Sequence, residues 1–263
     1  MQNDEMWLEG IISIEAALAA QSRDIFAVYY QQSGRKQNNR QWLRLHRMAQ
    51  KMGIAVEPVD AAFIAERVSG QSHGGVIAGV GPRRFVSLEK LIEGEKRPFI
   101  VMLDGVEDPF NFGQSLRALY AAGVTGVVVR PRNWTFAAGV VARAAAGASE
   151  RMPMAVAETA EFAADFFREQ GLLVACTSKA GAVSIYEADL LQPIFLLLGG
   201  EKRGITRSFL SHADLKLFIP YERPFAQSLG TTSSTAVIAF ERMRQLVGNK
   251  KTPPAIELMD DGV

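Results

Sequence analysis

From Phe99 onward the sequence repeats one pattern, a short apolar run followed by a helical segment. The runs FIVMLD, GVVVRP, MPMAVA, LLVACTS, PIFLLLGGE and LKLFIP are strand-length, and their cores are apolar at odd and even positions alike. A strand with one wet face alternates polar and apolar residues, so a run apolar throughout is covered on both faces. The segments between and after them, including GQSLRALYAAG, an alanine-rich stretch over 135–147, TAEFAADFFREQG and TRSFLSHA, carry helical patterns. Together these imply a parallel sheet with helices on both sides and a long terminal helix.

The first 80 or so residues form a smaller α/β unit with its own elements. SIEAALAA is expected to be a helix capped by its serine, and IFAVYY, IAVEPV and GGVIAGV are expected strands. Helices are expected over 36–52 and at DAAFIAERV. Between Gly81 and Pro98 the pattern weakens, with prolines, glycines and mixed charge around one short helix at SLEKLIE. The expected division is a first domain over 1–82, a linker over 83–97, a second domain over 98–248 and a disordered tail over 249–263.

Several classes fall away. No apolar run approaches the roughly 20 residues of a membrane helix, and MQNDEMWLEG has neither a basic nor an apolar leader segment. One cysteine and three histidines cannot make a structural zinc site of the usual spacings, so no metal is expected. Cys176, inside GLLVACTS, is expected to be an inert buried thiol, which suits a reducing, cytoplasmic setting. The net charge of +1 is silent on a nucleic-acid partner, so the distribution of charge must decide.

That distribution has one local feature. Lys36, Arg40, Arg44, Arg47 and Lys51 follow one another at spacings of four, four, three and four, and therefore share one stripe of a helix. Trp42, Leu45, Ala49 and Met52 occupy the opposite face, and no acidic residue interrupts 36–52. A solvated basic face is one reading; a surface that contacts RNA phosphates is the other, and it relieves the mutual repulsion of the five charges. His73, in QSHGGVIAG, is expected to hydrogen-bond within its loop or to contact a nucleotide.

Three polar turns follow apolar strands of the second domain. In DGVEDPFNFGQSLRALYAAGV, Asn111 is a candidate helix N-cap, Gly113 leaves backbone amides accessible, and Arg117 lies one turn further on. LLLGGEKRGIT offers Gly199 and Gly200 for close backbone approach and Glu201 as a carboxylate at a strand end. FIPYERPFAQSLGTTSSTAV enters the last helix through a run of hydroxyls. Neither a phosphate-binding P-loop nor a G-x-G-x-x-G fingerprint is present. Turns at the carboxyl ends of parallel strands are where such sheets bind ligands.

In order and separation these turns resemble the three signature motifs of the SpoU/TrmH family of S-adenosylmethionine-dependent RNA ribose methyltransferases, over about residues 98–247. The first domain resembles the ribosomal-protein-like RNA-binding module that often precedes that catalytic domain. The resemblance implies a small α/β RNA substrate-binding domain joined to an α/β-knot methyltransferase domain, a parallel sheet whose C-terminal part threads a deep trefoil knot. It implies S-adenosylmethionine as cofactor, held by Gly199, Gly200, Ile219 and Leu229, and a catalytic set of Asn111, Arg117, Glu201 and Ser228. It further implies a homodimer with active sites at the subunit interface, acting on ribosomal RNA ahead of transfer RNA. Three positions depart from the usual motifs: Gly230 stands where an asparagine is customary, Lys202 where a glycine follows the glutamate, and HGG where the module commonly has histidine-glutamine-glycine. The alternatives are a non-catalytic RNA-binding protein on the same scaffold and a transfer-RNA or base methyltransferase of the knotted superfamily.

Overall fold

The computed structural model describes residues 6–32, 40–68, 73–131, 138–200 and 204–248. The expected tail over 249–263, Lys36 and Glu201 lie outside the described residues.

The first domain is a four-stranded sheet in the order β1-β4-β2-β3. Its strands are β1 (Met6–Glu9), β2 (Ile25–Gln31), β3 (Ala55–Val59) and β4 (Val76–Val80). β4 runs antiparallel to β1 and β2, and β2 runs parallel to β3. Helices α1 (Ile11–Ala20) and α2 (Arg40–Lys51) bury Ile14, Ala17, Trp42 and Leu45 against Leu8, Val28 and Ala78. α1 begins earlier than expected. It starts after Gly10, whose φ of 82° turns the chain, and Ser13 is buried inside the helix rather than capping it. The short helix α3 (Ala61–Ala65) is capped by Asp60, whose side chain accepts from the Phe63 amide.

The second domain is a seven-stranded sheet in the order β7-β6-β5-β10-β8-β11-β9, and every pairing in it is parallel. The strands are β5 (Phe99–Asp104), β6 (Gly126–Val129), β7 (Met154–Val156), β8 (Leu173–Thr177), β9 (Val183–Ser184), β10 (Ile194–Gly199) and β11 (Leu215–Phe218). Both central strands are buried on both faces, as continuous apolar runs require. Phe99, Val101 and Leu103 of β5, with Ile194, Leu196 and Leu198 of β10, face one core. Ile100, Met102, Phe195 and Leu197 face the other. Fully burying each such side chain contributes roughly 1.5–3 kcal/mol.

The first core is closed by α4 (Pro109–Ala121), α5 (Ala138–Ala144), α6 (Ala148–Arg151) and α9 (Thr231–Gly248), and the second by α7 (Ala160–Glu169) and α8 (Arg207–His212). Arg242 anchors α9, donating to the Leu190 carbonyl at 2.9 Å and the Arg97 carbonyl at 2.8 Å while lying over the Phe99 ring. The chain steps from β5 through β6 to β7 on one side, then crosses to build β8 to β11 on the other, so the order of strand addition, not the strand direction, reverses between β5 and β10.

The expected linker is packed rather than free. The Val86 amide donates to the Met154 carbonyl and Leu88 and Leu91 enter the second core. Arg83 donates to the carbonyls of Ser149 and Met152. A buried ion pair spans the domains: Arg23 binds Glu150 through two bonds of 2.9 Å, and Ser22 adds a third at 2.6 Å. Burial pushes the Glu150 carboxyl up, but the Arg23 and Arg83 charges and the Arg23 and Ser22 hydrogen bonds outweigh it, and the pKa ends below the usual value. Arg143 of α5 pairs with Glu9 of β1 across the same junction. Of the two pairs that join the domains, Arg23–Glu150 has almost no solvent access, whereas Arg143 is partly exposed.

Candidate functional site

The carboxyl ends of β5 and β10 are tied together. The Gly200 amide donates to the Asp104 carbonyl at 2.6 Å, immediately after the last register pair, Gly199 with Asp104. A Cβ on Gly200 would run into the Gly105 carbonyl, so the glycine permits this close approach. Asp104 is itself held, with Arg130 donating to its carboxylate at 2.7 Å.

Beside this junction lies a cavity of about 970 Å³ at the carboxyl ends of β8, β10 and β11. Gly199 and Gly200 form one wall, Ile219 and Pro220 a second, and Ser228 to Thr231 a third. The segment over 221–230 is a strap closed on itself at one place and tied to the loop after β8 at another. The Leu229 amide donates to the Tyr221 hydroxyl at 2.9 Å, and the Lys179 ammonium donates to the Ala226 carbonyl at 2.7 Å. Ser234 then fixes the strap to the start of α9, its amide donating to the Gly230 carbonyl at 3.0 Å and its hydroxyl to the Leu229 carbonyl at 3.3 Å. The inner surface combines Leu198, Leu217 and Leu229 with the hydroxyls of Ser178, Thr231 and Ser234. Such a mixture suits a flat heteroaromatic group carrying a polar tail.

The first turn reaches this assembly through a backbone contact. The Thr232 hydroxyl donates to the Asn111 carbonyl at 3.2 Å, which also accepts from the Ser115 hydroxyl at 2.9 Å. Asn111 is not the N-cap expected of it. Asp108 caps α4 by accepting from the Asn111 amide at 2.7 Å, and Pro109 takes the first helical position, where its missing N–H costs nothing. Arg117 is exposed on α4, off the cavity wall, with no hydrogen bond or ion pair to another described residue.

Of the expected site residues, the cavity therefore gathers Gly199, Gly200, Ile219, Ser228 and Leu229, and leaves Asn111 and Arg117 outside its wall. Among the cavity residues that the sequence did not single out are Lys179 and the ring of Tyr221. Position supplied the missing signal for Lys179, which lies just beyond the carboxyl end of β8, where ligands gather in parallel sheets. Cys176 is buried and its thiol is pushed up to about 11, chiefly by burial and against the pull of Lys216, which leaves it protonated and inert.

The basic stripe is less free than its spacing implies. Arg40 and Lys51 are exposed, whereas Arg44 reaches α1 and binds Glu15 through contacts of 2.7 and 3.2 Å. Arg47 donates to the Leu43 carbonyl within its own helix. Trp42, Leu45 and Ala49 are buried as expected, but Met52 is 44% exposed. The ring Nδ1 of His73 accepts from the Gly75 amide at 2.9 Å. Among the described residues there is no cluster of three His, Cys, Asp or Glu able to hold a metal, and no helix is long and apolar enough to cross a membrane.

Fold and cavity define a two-domain α/β protein whose candidate ligand site opens at the carboxyl edge of a parallel sheet. The SpoU rRNA Methylase family pattern matches residues 98–240, and the pattern for RNA 2'-O ribose methyltransferase substrate binding matches residues 7–86. The chain belongs to the SpoU rRNA Methylase family. It is 31% identical over 254 residues to the 23S rRNA (guanosine-2'-O-)-methyltransferase RlmB of Xanthomonas campestris, covering 94% of this chain and 100% of the relative. The RlmB of Shewanella oneidensis is 28% identical over 90% of this chain and 96% of its own. Among solved structures, the SpoU methyltransferase AviRb of Streptomyces viridochromogenes, in complex with the cofactor AdoMet, superposes with a TM-score of 0.74 at 19% identity, over 92% of this chain and 91% of its own. The AdoMet-bound rRNA methyltransferase of Sinorhizobium meliloti gives 0.74 at 24% identity, over 93% and 89%. These two likenesses are of fold.

Proposed function

We propose that this protein transfers a methyl group from S-adenosylmethionine to a ribose 2′-hydroxyl of 23S ribosomal RNA. The observation that carries the reading is the convergence of Gly199 and Gly200, Ile219, and Ser228 and Leu229 on one cavity at the sheet's carboxyl edge. Relatives covering nearly the whole chain are named as enzymes of that activity on guanosine, which favours a guanosine in the same RNA. A ribosomal-RNA substrate also places the protein in the cytoplasm.

The cavity suits the cofactor chemically. Leu198, Leu217 and Leu229 offer an apolar slot for adenine, backbone groups of Gly199 and Ile219 can recognise its edge, and Ser178 and Thr231 add hydroxyls. S-adenosylmethionine bound there supplies a methyl group already activated on sulfur. The polypeptide's part is to bring the ribose oxygen into line with that methyl and to help its proton leave. Arg117 is assigned to the RNA: a guanidinium stays protonated at neutral pH, so it holds the neighbouring phosphate and stabilises charge growing on the ribose oxygen. Asn111, Glu201 and Ser228 are assigned to orienting the nucleotide.

An Arg117 off the cavity wall of its own subunit fits a site completed in a homodimer. The exposed rings of Phe110 and Tyr120 on α4 and Phe240 on α9 supply apolar surface for that pairing. The deep trefoil knot belongs to the same proposal, with the strap over 221–230 as part of the threaded segment.

The test is methyl transfer from labelled cofactor to 23S ribosomal RNA, followed by digestion and nucleoside mass analysis. A 2′-O-methylated nucleoside is expected. A base-methylated product, or no transfer by the wild-type protein, overturns the reading.

A further inference from the structure

Lys179 is the only charged side chain on the cavity wall among the described residues. It stands just past β8 and donates one proton to the Ala226 carbonyl of the strap at 2.7 Å. An ammonium carries three donors, and the other two meet no partner among the described residues. The Tyr221 hydroxyl, accepting from the Leu229 amide, already closes the strap on itself without Lys179. A tether that consumes one donor of three, with no second charged side chain on the wall among the described residues, leaves a positive charge available to a ligand.

The cofactor assigned to this cavity has one anionic group, the α-carboxylate of its methionine portion, together with a sulfonium and an ammonium that a lysine repels. The Lys179 ammonium can therefore attract only the carboxylate end of the ligand, and doing so turns the methionine portion toward β8 and the strap. We propose that Lys179 is a specificity-determining residue that reads this carboxylate and sets the orientation of the methionine portion. The inference rests on the cofactor reading given above and adds a residue to it.

The experiment measures binding by calorimetry, without RNA, for two ligands. S-adenosylhomocysteine keeps the carboxylate, and 5′-methylthioadenosine keeps the adenosine and sulfur but lacks the amino-acid portion. Lys179→Met is expected to weaken S-adenosylhomocysteine by roughly tenfold or more, the worth of one charge-assisted hydrogen bond, with 5′-methylthioadenosine unchanged. Lys179→Arg is expected to restore most of the loss. Equal weakening of both ligands overturns the proposal in favour of a purely structural tether, and undiminished S-adenosylhomocysteine binding overturns it outright. Failure of the wild-type protein to bind either ligand is a different result, because it removes the cofactor reading itself.

Discussion

The amide of Gly200 and the carbonyl of Asp104 meet at 2.6 Å, and this contact closes the sheet beneath the cavity. Any Cβ at position 200 would overlap the Gly105 carbonyl group, a backbone obstacle that cannot swing aside as a side chain could. Gly200→Ala is expected to cost at least about 2 kcal/mol of stability, by analogy with overpacked cores. It is also expected to abolish cofactor binding, since the displaced strand end forms the cavity wall. Urea denaturation reads the first effect as a lower midpoint at unchanged slope, and calorimetry reads the second.

Glu150 makes an equally specific forecast for the domain junction. Its carboxylate is buried against Arg23, so Glu150→Gln leaves a buried guanidinium without its counter-charge, and a loss of about 3–5 kcal/mol is expected. The pKa of Glu150 lies below the ordinary 4.5, because the arginines and the hydrogen bonds overcome the upward push of burial. A depressed folded pKa contributes stability that is present above the unfolded value and disappears as pH falls through the folded value. Wild-type stability is thus expected to decline below about pH 4.5 more steeply than that of Glu150→Gln, which has already lost the contribution. Parallel stability-against-pH curves for the two proteins would remove Glu150 from the account.

Much of this architecture is legible in the sequence because burial on two faces leaves a plain trace. β5 and β10 are unmistakable as apolar runs, and the glycine-bearing end of β10 marks the cavity. What stays hidden depends on partners distant in the chain. β1 and β9 have four and two residues, too few to show a period, and are strands only because β4 and β11 lie beside them. Asp108 and Asn111 are both acceptable caps, and the proline between them decides for Asp108 by fitting the first helical position. The stripe on α2 lacks an acidic neighbour in its own helix, yet Arg44 finds Glu15 on α1. The segment over 83–97 looks like a linker because its anchors, the Met154 carbonyl and the backbone at 149 and 152, come much later.

That pairing separates the cations of α2 into two kinds. Arg40 and Lys51 stand in solvent and, among the described residues, Arg47 bonds only its own helix, so replacing all three by alanine is expected to weaken RNA binding. The log-log dependence of affinity on salt is expected to flatten by about 0.7–0.9 for each phosphate that is no longer neutralised. Arg44→Ala is expected to act differently. Its side chain is 52% exposed, so the Glu15 pair is worth no more than about 1 kcal/mol, and the change appears as a small fall in stability. Filter binding over a salt series distinguishes the groups; an unchanged slope in the triple variant would remove α2 from the RNA surface.

Arg117 supplies the sharpest division between binding and chemistry. It lies on α4 away from the cavity wall, whereas the cofactor reading places all cofactor contacts on that wall. Arg117→Ala is therefore expected to leave S-adenosylhomocysteine affinity within about twofold of wild type, since no group touching the cofactor is removed. Methyl transfer is expected to fall by roughly 10²–10³ or more, the usual cost of removing a charge-stabilising donor from a reacting oxygen. Arg117→Lys keeps the charge but loses the planar fork that holds phosphate at two points, so it is expected to recover only a fraction of the rate. Single-turnover transfer and calorimetry on the same preparations decide the matter. Equal losses in affinity and rate would mean that Arg117 serves the cofactor or the fold, and the assignment of the guanidinium to the incoming nucleotide would fail.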